Sequence, residues 1–250
     1  MADRIRLDIA LEQRGLVQSR ARGRDAIRRG TVKLNGVPVG KPGLLVEDAD
    51  SIEVDDPAAG YVSRAALKLI AGLDTGAIDV AGKICLDLGA STGGFTQVLA
   101  ERGAARIYAV DVGHDQLHPT VRGLPNVIAM EGVNARDLTR EFIRDPIELL
   151  VCDISFVSVT KVLAVPLGLC APNADAVILI KPQFEVGRDH VGKGGIVSDS
   201  VAIAGAVTAV IQFMAEQDFA HRQSLPSPIA GGDGNKEVVA LFRATGYIGS

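Results

Sequence analysis

The sequence predicts an α/β protein whose body is a mostly parallel, Rossmann-like sheet, preceded by a small basic α+β module. Three observations predict it. Residues 84–97 read as a buried strand, a glycine-bearing loop and the start of a helix, the opening of a nucleotide-type α/β unit. Short apolar runs ending in a charged residue follow, alternating with helical segments, as in a sheet covered on both faces. Charge is divided: residues 1–41 carry +6 and the remainder −10, within a net −4.

With 250 residues, 47% of them hydrophobic and 22% charged, the chain has material for a full-size core and is not a disordered polymer. Cys85, Cys152 and Cys170 lie in apolar surroundings and cannot all pair, which points to a reducing, cytoplasmic setting. The N-terminus is charged, without the apolar region of a signal peptide. The longest apolar stretch, residues 201–211, is too short to span a bilayer and is expected as a buried helix.

In the basic module, residues 4–16 have helical spacing of Leu7, Ala10 and Leu11, with Gly15 as the stop. Ser19 suits the N-cap of a second helix over 20–29, which Gly30 ends. On it Arg20, Arg24 and Arg28 share one face, flanked by Arg22 and Arg29. Residues 31–37 form a hairpin about Asn35-Gly36, and 51–54 a further strand. So many arginines with few nearby acids point to phosphate-backbone binding. Arg6, Arg20, Arg22, Arg24, Arg28, Arg29, Lys33 and Lys41 are the candidate contacts, with Arg64 beyond the module. The residues Arg6-Leu-Asp8, Ser19-Arg20, Ile27, Gly30, Val32, Asn35-Gly36, Val39 and Lys41-Pro42 resemble the S4 RNA-binding domain. That resemblance implies structured RNA as ligand. Aromatics are absent here, so the reading is of shape and phosphate.

The boundary falls at the acidic, then Pro/Ala/Gly-rich residues 55–60, giving a module over 1–55, a linker over 56–62 and a body over 63–250. A helix restarts near residue 61 with Ser63 as N-cap and Leu67, Ile70 and Ala71 as its buried face. Strands are expected at 84–87, 106–111, 126–130, 147–153, 176–181 and 238–242. Ligands of such sheets bind beyond the carboxyl ends of the strands.

Within Gly89-Ala-Ser-Thr-Gly-Gly94 the first and last glycines of a dinucleotide loop are kept, but Ser91 stands where the middle one admits a pyrophosphate. NAD and FAD therefore fit poorly. S-adenosylmethionine lacks a pyrophosphate and fits: Asp87, Gly89, Ser91, Gly93, Gly94 and Phe95 surround its amino-acid end, and Asp111, 24 positions after Asp87, its ribose. No metal is implied. Asp153 and Lys181 end apolar strands, Glu237 opens one, and Lys68 lies on the helix before the first. A lysine closing residues 176–180 is partly desolvated, which suits proton work.

These residues carry a wider resemblance. Tyr61-Val-Ser-Arg64, Leu86-Asp-Leu-Gly-Ala-Ser-Thr-Gly-Gly-Phe-Thr96, Val110-Asp-Val-Gly113, Cys152-Asp-Ile-Ser-Phe156, Ile180-Lys-Pro-Gln-Phe-Glu-Val-Gly187 and Gly234-Asn-Lys-Glu237 are similar to the TlyA (hemolysin A) family. The resemblance implies an S4 module joined to an FtsJ-like methyltransferase body. It also implies S-adenosylmethionine-dependent 2′-O-methylation of cytidine ribose in ribosomal RNA, large-subunit RNA first and small-subunit RNA second. The family's catalytic set falls on Lys68, Asp153, Lys181 and Glu237. Asp153 also faces the cofactor, and Asn134 matches a residue contacting its adenine. Ala65-Ala66 stands where members commonly have glycine. Two rival readings are a non-catalytic ribosome assembly factor, disfavoured by retention of all four charges, and a membrane-active toxin, disfavoured by the missing signal and spanning segment.

Overall fold

The computed structural model describes residues 4–231 and 234–246, which divide into two compact units, Met1–Gly60 and Tyr61–Ser250. The first contains β1 (Ile5–Arg6), α1 (Leu7–Gln13), α2 (Arg20–Arg28), β2 (Val32–Leu34), β3 (Val37–Pro38), β4 (Leu45–Val46) and β5 (Ile52–Val54). Leu7, Leu11, Ala26, Ile27, Val32 and Val46 form its core. The Ser19 hydroxyl accepts from the Arg22 amide at 3.3 Å and caps α2. Asn35 and Gly36 both have positive φ, 50° and 79°, as a two-residue hairpin turn requires.

Two expectations for this unit are corrected. The first helix begins at Leu7, not residue 4, because Ile5 and Arg6 pair antiparallel with Val46 and Leu45. Nor is the stretch from residue 56 a free linker. The Arg29 guanidinium grips both Asp56 oxygens at 2.6 Å, Arg22 donates to the Ala58 carbonyl at 3.1 Å, and Ala58 is buried.

The second unit runs α3 (Ala66–Thr75), β6 (Ile84–Leu88), α4 (Gly94–Glu101), β7 (Arg106–Asp111), α5 (Pro119–Arg122), β8 (Val127–Glu131), β9 (Ile147–Cys152), α6 (Ala164–Leu167), β10 (Cys170–Ile180), α7 (Pro182–Glu185), α8 (Ser200–Glu216), β11 (Phe219–Pro226) and β12 (Val238–Ala244). The sheet order is β11-β12-β10-β9-β6-β7-β8. The five strands from β10 to β8 are parallel to one another, while β12 is antiparallel to both β10 and β11. Alternate residues serve opposite faces. Leu86, Leu88, Leu150 and Cys152 pack with Val210 and Met214 of α8, whereas Cys85, Leu149 and Val151 pack with Leu69 and Leu73 of α3 and Val98 of α4. Burial pushes all three thiols up to about 12, so they behave as small core hydrophobes.

The helix expected at residue 61 begins at Ala66; the Ser63 hydroxyl instead accepts from the Ala65 amide, at 3.2 Å, in the preceding turn. Its buried face is Ala66, Lys68, Leu69, Gly72 and Leu73 rather than Leu67, Ile70 and Ala71. Gly72 causes the rotation: a Cβ there would stand 2.9 Å from Val239, so the bare backbone lies against the sheet and carries Lys68 inward. The apolar stretch 201–211 is part of α8, not a fully buried helix. Only Ala206, Val210 and Met214 of that helix are buried, and Val201 is exposed. Among the described residues no helix is long and apolar enough to cross a membrane.

Candidate active site

Strand register builds the site. Leu88 aligns with Cys152, Cys152 with Ile178, and Ile180 with Val238. The residues immediately beyond these, Gly89, Asp153 and Lys181, therefore gather at the carboxyl edge of the parallel strands. Glu237 joins them although it precedes its strand, because β12 runs the other way. Lys68 reaches the same edge from the buried face of α3.

The four charges form two pairs of different character. Lys68 Nζ and Glu237 Oε2 are 2.5 Å apart and both side chains are buried. Gly231 makes room for this pair, since a Cβ there would stand 2.5 Å from Glu237 Oε1. Asp153 and Lys181 instead line a cavity of about 140 Å³ together with Ser155, Gly89, Ser91 and Phe95. Lys181 Nζ lies 2.6 Å from Asp153 Oδ1, a contact of charge whose angle does not make a hydrogen bond. Its aligned bonds go to Ser155 Oγ at 2.7 Å and the Asp153 carbonyl at 3.3 Å.

The glycine loop lies along the same cavity. Gly89 has φ +79°, and a Cβ there would stand 3.0 Å from the Asp153 carbonyl, so the two strand ends meet only because it is glycine. Ser91 holds φ +46°, and its amide donates to Asp111 Oδ2 at 2.8 Å. The other Asp111 oxygen accepts from Gly113 at 2.7 Å, so this acid braces both the glycine loop and the turn after β7. Asp87 is fully buried, with Oδ2 accepting from Thr96 at 2.6 Å and Oδ1 without a partner. Burial pushes its carboxyl up to about 7; the Thr96 bond opposes this, and the Asp153 and Asp111 charges add to it. An orphaned buried oxygen beneath a loop of this shape fits a cationic ligand head such as an α-amino group. Asn134 Oδ1 is spent capping a short turn, accepting from the Arg136 amide at 3.0 Å, which leaves its amide nitrogen for a ligand.

Sequence reasoning missed three residues. Glu131, opposite Asp111 in register, accepts from the Gln116 and Leu117 amides at 2.7 and 3.0 Å and shapes the loop after β7. Ser155 is bonded to Lys181, as described. Phe156 is 91% exposed at φ +70°, its ring 5.4 Å from that of Phe184. It follows Ser155 of the cavity wall directly, so an aromatic ring stands in solvent one residue from the cavity. All three stood next to residues of interest, but neither φ nor exposure is legible in a residue string.

On the N-terminal unit the arginines divide by partner. Arg24, Arg28, Lys33 and Lys41 are exposed. Arg6 and Arg20 share the buried Asp8, each at 2.9 Å, and remain about half exposed; Arg6 above all holds Asp8 down to about 2. Arg22 bonds the Ala58 carbonyl. Arg29 is withdrawn from the candidate RNA surface: it is only 16% exposed, gripped by Asp25 at 3.0 Å and Asp56 at 2.6 Å. Arg64 is half-buried just before α3, in the body.

A sheet in this order, with glycine loop, paired acids and a lysine at its carboxyl edge, defines a Rossmann-like methyltransferase body, which this chain carries after a separate basic unit. Residues 61–244 match the FtsJ-like methyltransferase family and residues 5–52 the S4 domain. The chain is 44% identical over 244 residues to the 16S/23S rRNA (cytidine-2′-O)-methyltransferase TlyA of Mycobacterium tuberculosis, covering 97% of this chain and 91% of that one. It is 39% identical to Hemolysin A of Brachyspira hyodysenteriae, covering 95% of this chain and 99% of that one. The solved structure of a candidate hemolysin from Streptococcus thermophilus matches with TM-score 0.76 and 33% identity, covering 98% of this chain and 90% of that one. The chain belongs to the TlyA family, with an FtsJ-like methyltransferase body and an S4 domain.

Proposed function

We propose that the protein methylates the 2′-hydroxyl of cytidine in ribosomal RNA, in the cytoplasm, using S-adenosylmethionine. The observation that carries this reading is the Lys181–Asp153 pair lining a cavity against the Gly89–Gly94 loop. Asp87, Gly89, Ser91 and Asp111 would hold the cofactor, with Asn134 toward its adenine. When bound, the cofactor supplies an electrophilic methyl group on sulfonium.

The chain's own residues do the rest. A ribose hydroxyl is a weak nucleophile, so its oxygen must be aligned and its proton polarised or removed. Lys181 Nζ is the group aimed into the cavity and the one assigned to that hydroxyl: its N–H aligns the oxygen, and the proton that the oxygen loses on methylation passes to solvent. The Asp153 carboxylate, 2.6 Å from Nζ, complements a cationic ligand in the same cavity. Lys68 and Glu237 form a closed pair behind them and hold α3 against β12. The exposed Phe156 offers an aromatic face to the base of a nucleotide drawn out of its stack. Arg24, Arg28, Lys33 and Lys41 supply phosphate contacts, with Arg6 and Arg20 as a second group.

The test is transfer of labelled methyl from S-adenosylmethionine to isolated 30S and 50S subunits, since the Mycobacterium relative is named for both RNAs. Label in 2′-O-methylcytidine, on 50S first, supports the reading; label on a base, or none, ends it.

A further inference from the structure

Lys181 is the group the proposed reaction turns on, yet its nearest carboxylate does not aim it. The 2.6 Å contact to Asp153 Oδ1 lies outside hydrogen-bonding angles. The ion pair holds Nζ close to the carboxylate, and the direction of its N–H groups is set by its aligned bonds. Direction comes from aligned bonds, and the shorter of the two on Nζ ends on Ser155 Oγ, at 2.7 Å against 3.3 Å for the Asp153 carbonyl. Ser155 also lines the cavity, so this bond points along its wall. Its oxygen is an alcohol, the same kind of acceptor as a ribose hydroxyl.

We propose that Ser155 is a positioning residue for Lys181, its hydroxyl holding Nζ in the orientation in which it meets the 2′-hydroxyl of the substrate. The inference rests on the methyltransferase reading for its consequence, though not for its geometry. On substrate entry the 2′-hydroxyl takes another N–H of the ammonium while Ser155 keeps its own, so Nζ stays aimed from the bound complex to the transition state. No bond to Ser155 forms or breaks.

The experiment compares wild type with Ser155→Ala, Ser155→Cys and Ser155→Thr, each checked for folding by circular dichroism and thermal melting. The first readout needs no RNA: exchange of the Lys181 ammonium protons with water, followed by ¹⁵N NMR. Exchange should quicken several-fold in the Ala and Cys variants and return to wild-type rates in the Thr variant. The second is methyl transfer to ribosomal subunits over a range of pH. Here kcat should fall about 10- to 100-fold in the Ala variant, with KM for RNA unchanged, the pH–rate profile displaced and Thr restoring both. Unchanged exchange in the folded Ala and Cys variants, or faster exchange with unchanged kcat, overturns the role of Ser155. If wild type transfers no methyl at all, the proposed function fails, while the exchange measurement still decides whether Ser155 holds Lys181.

Discussion

At Asp87 a strand end in the core coincides with a carboxylate oxygen left without a partner. Its carboxyl is raised to about 7 from an unfolded value of 3.8, chiefly by burial. A raised folded value means that the native state holds a proton the unfolded chain has lost. The stability tied to Asp87 is therefore full below about pH 4 and lost as pH rises through 7. Asp87→Asn should flatten that decline, by a few kcal/mol at pH 8 relative to pH 5. Denaturant unfolding at both pH values checks it, and parallel curves for the two proteins would contradict the assignment. At Phe156 the expectation is kinetic: Phe156→Ala should lower kcat/KM for ribosomal subunits roughly 10- to 100-fold, the scale of one base–aromatic stack. Cofactor affinity by calorimetry should stay unchanged; an unaltered kcat/KM would remove the stacking role. Asp153, Lys181 and Glu237 are legible in the sequence because each ends or opens an apolar run, whereas Lys68, inside a helix, is not. Ser155, Phe156 and Glu131 are not, since exposure, φ and hydrogen-bond angle arise only when distant strands meet.

Elements bring these residues together, and their limits are less visible in the sequence than their existence. The parallel strands announce themselves as apolar runs. β11, with its polar Ala220-His-Arg-Gln-Ser sequence on an exposed edge, carries no such signal and is defined only by pairing with β12. The face of α3 is hard to read because Lys68 looks solvent-facing in a helical wheel; its buried partner, Glu237, is 169 residues away. The turn at Gly89 follows from the glycine spacing, but its closeness to Asp153 does not. Gly89→Ala should cost about 1–3 kcal/mol of stability, because an alanine at φ +79° is strained and its Cβ meets the Asp153 carbonyl. It should also weaken S-adenosylmethionine binding. A melting curve and an affinity both within error of wild type would show that the strand ends need no glycine to meet.

Across the whole molecule the charge division foretells two units, and the structure divides the chain at residue 60. It also shows which basic residues are committed internally. Arg29 is spent on Asp25 and Asp56, and reversal of Arg20 would strand the buried Asp8, so neither tests RNA binding cleanly. Arg24 and Arg28 are the better probes. Reversing both to Glu should weaken ribosomal RNA binding. Its salt dependence should flatten by roughly 0.7–0.9 units of log K per log salt for each phosphate no longer neutralised. S-adenosylmethionine affinity should be untouched, and an unchanged salt slope in a filter-binding titration would place the RNA surface elsewhere.

In the proposed function Lys181, held at the carboxyl edge beside the glycine loop, serves methyl transfer to a cytidine ribose. The most direct measurement is nucleotide-resolved mapping of 2′-O-methylation in ribosomal subunits treated with S-adenosylmethionine and either wild type or Lys181→Ala. New 2′-O-methylcytidine is expected with wild type and a drop of about 10²–10⁴-fold in rate for Lys181→Ala, with cofactor and RNA binding retained. Methylation by Lys181→Ala at the wild-type rate, or modification at a base rather than a ribose, would contradict it.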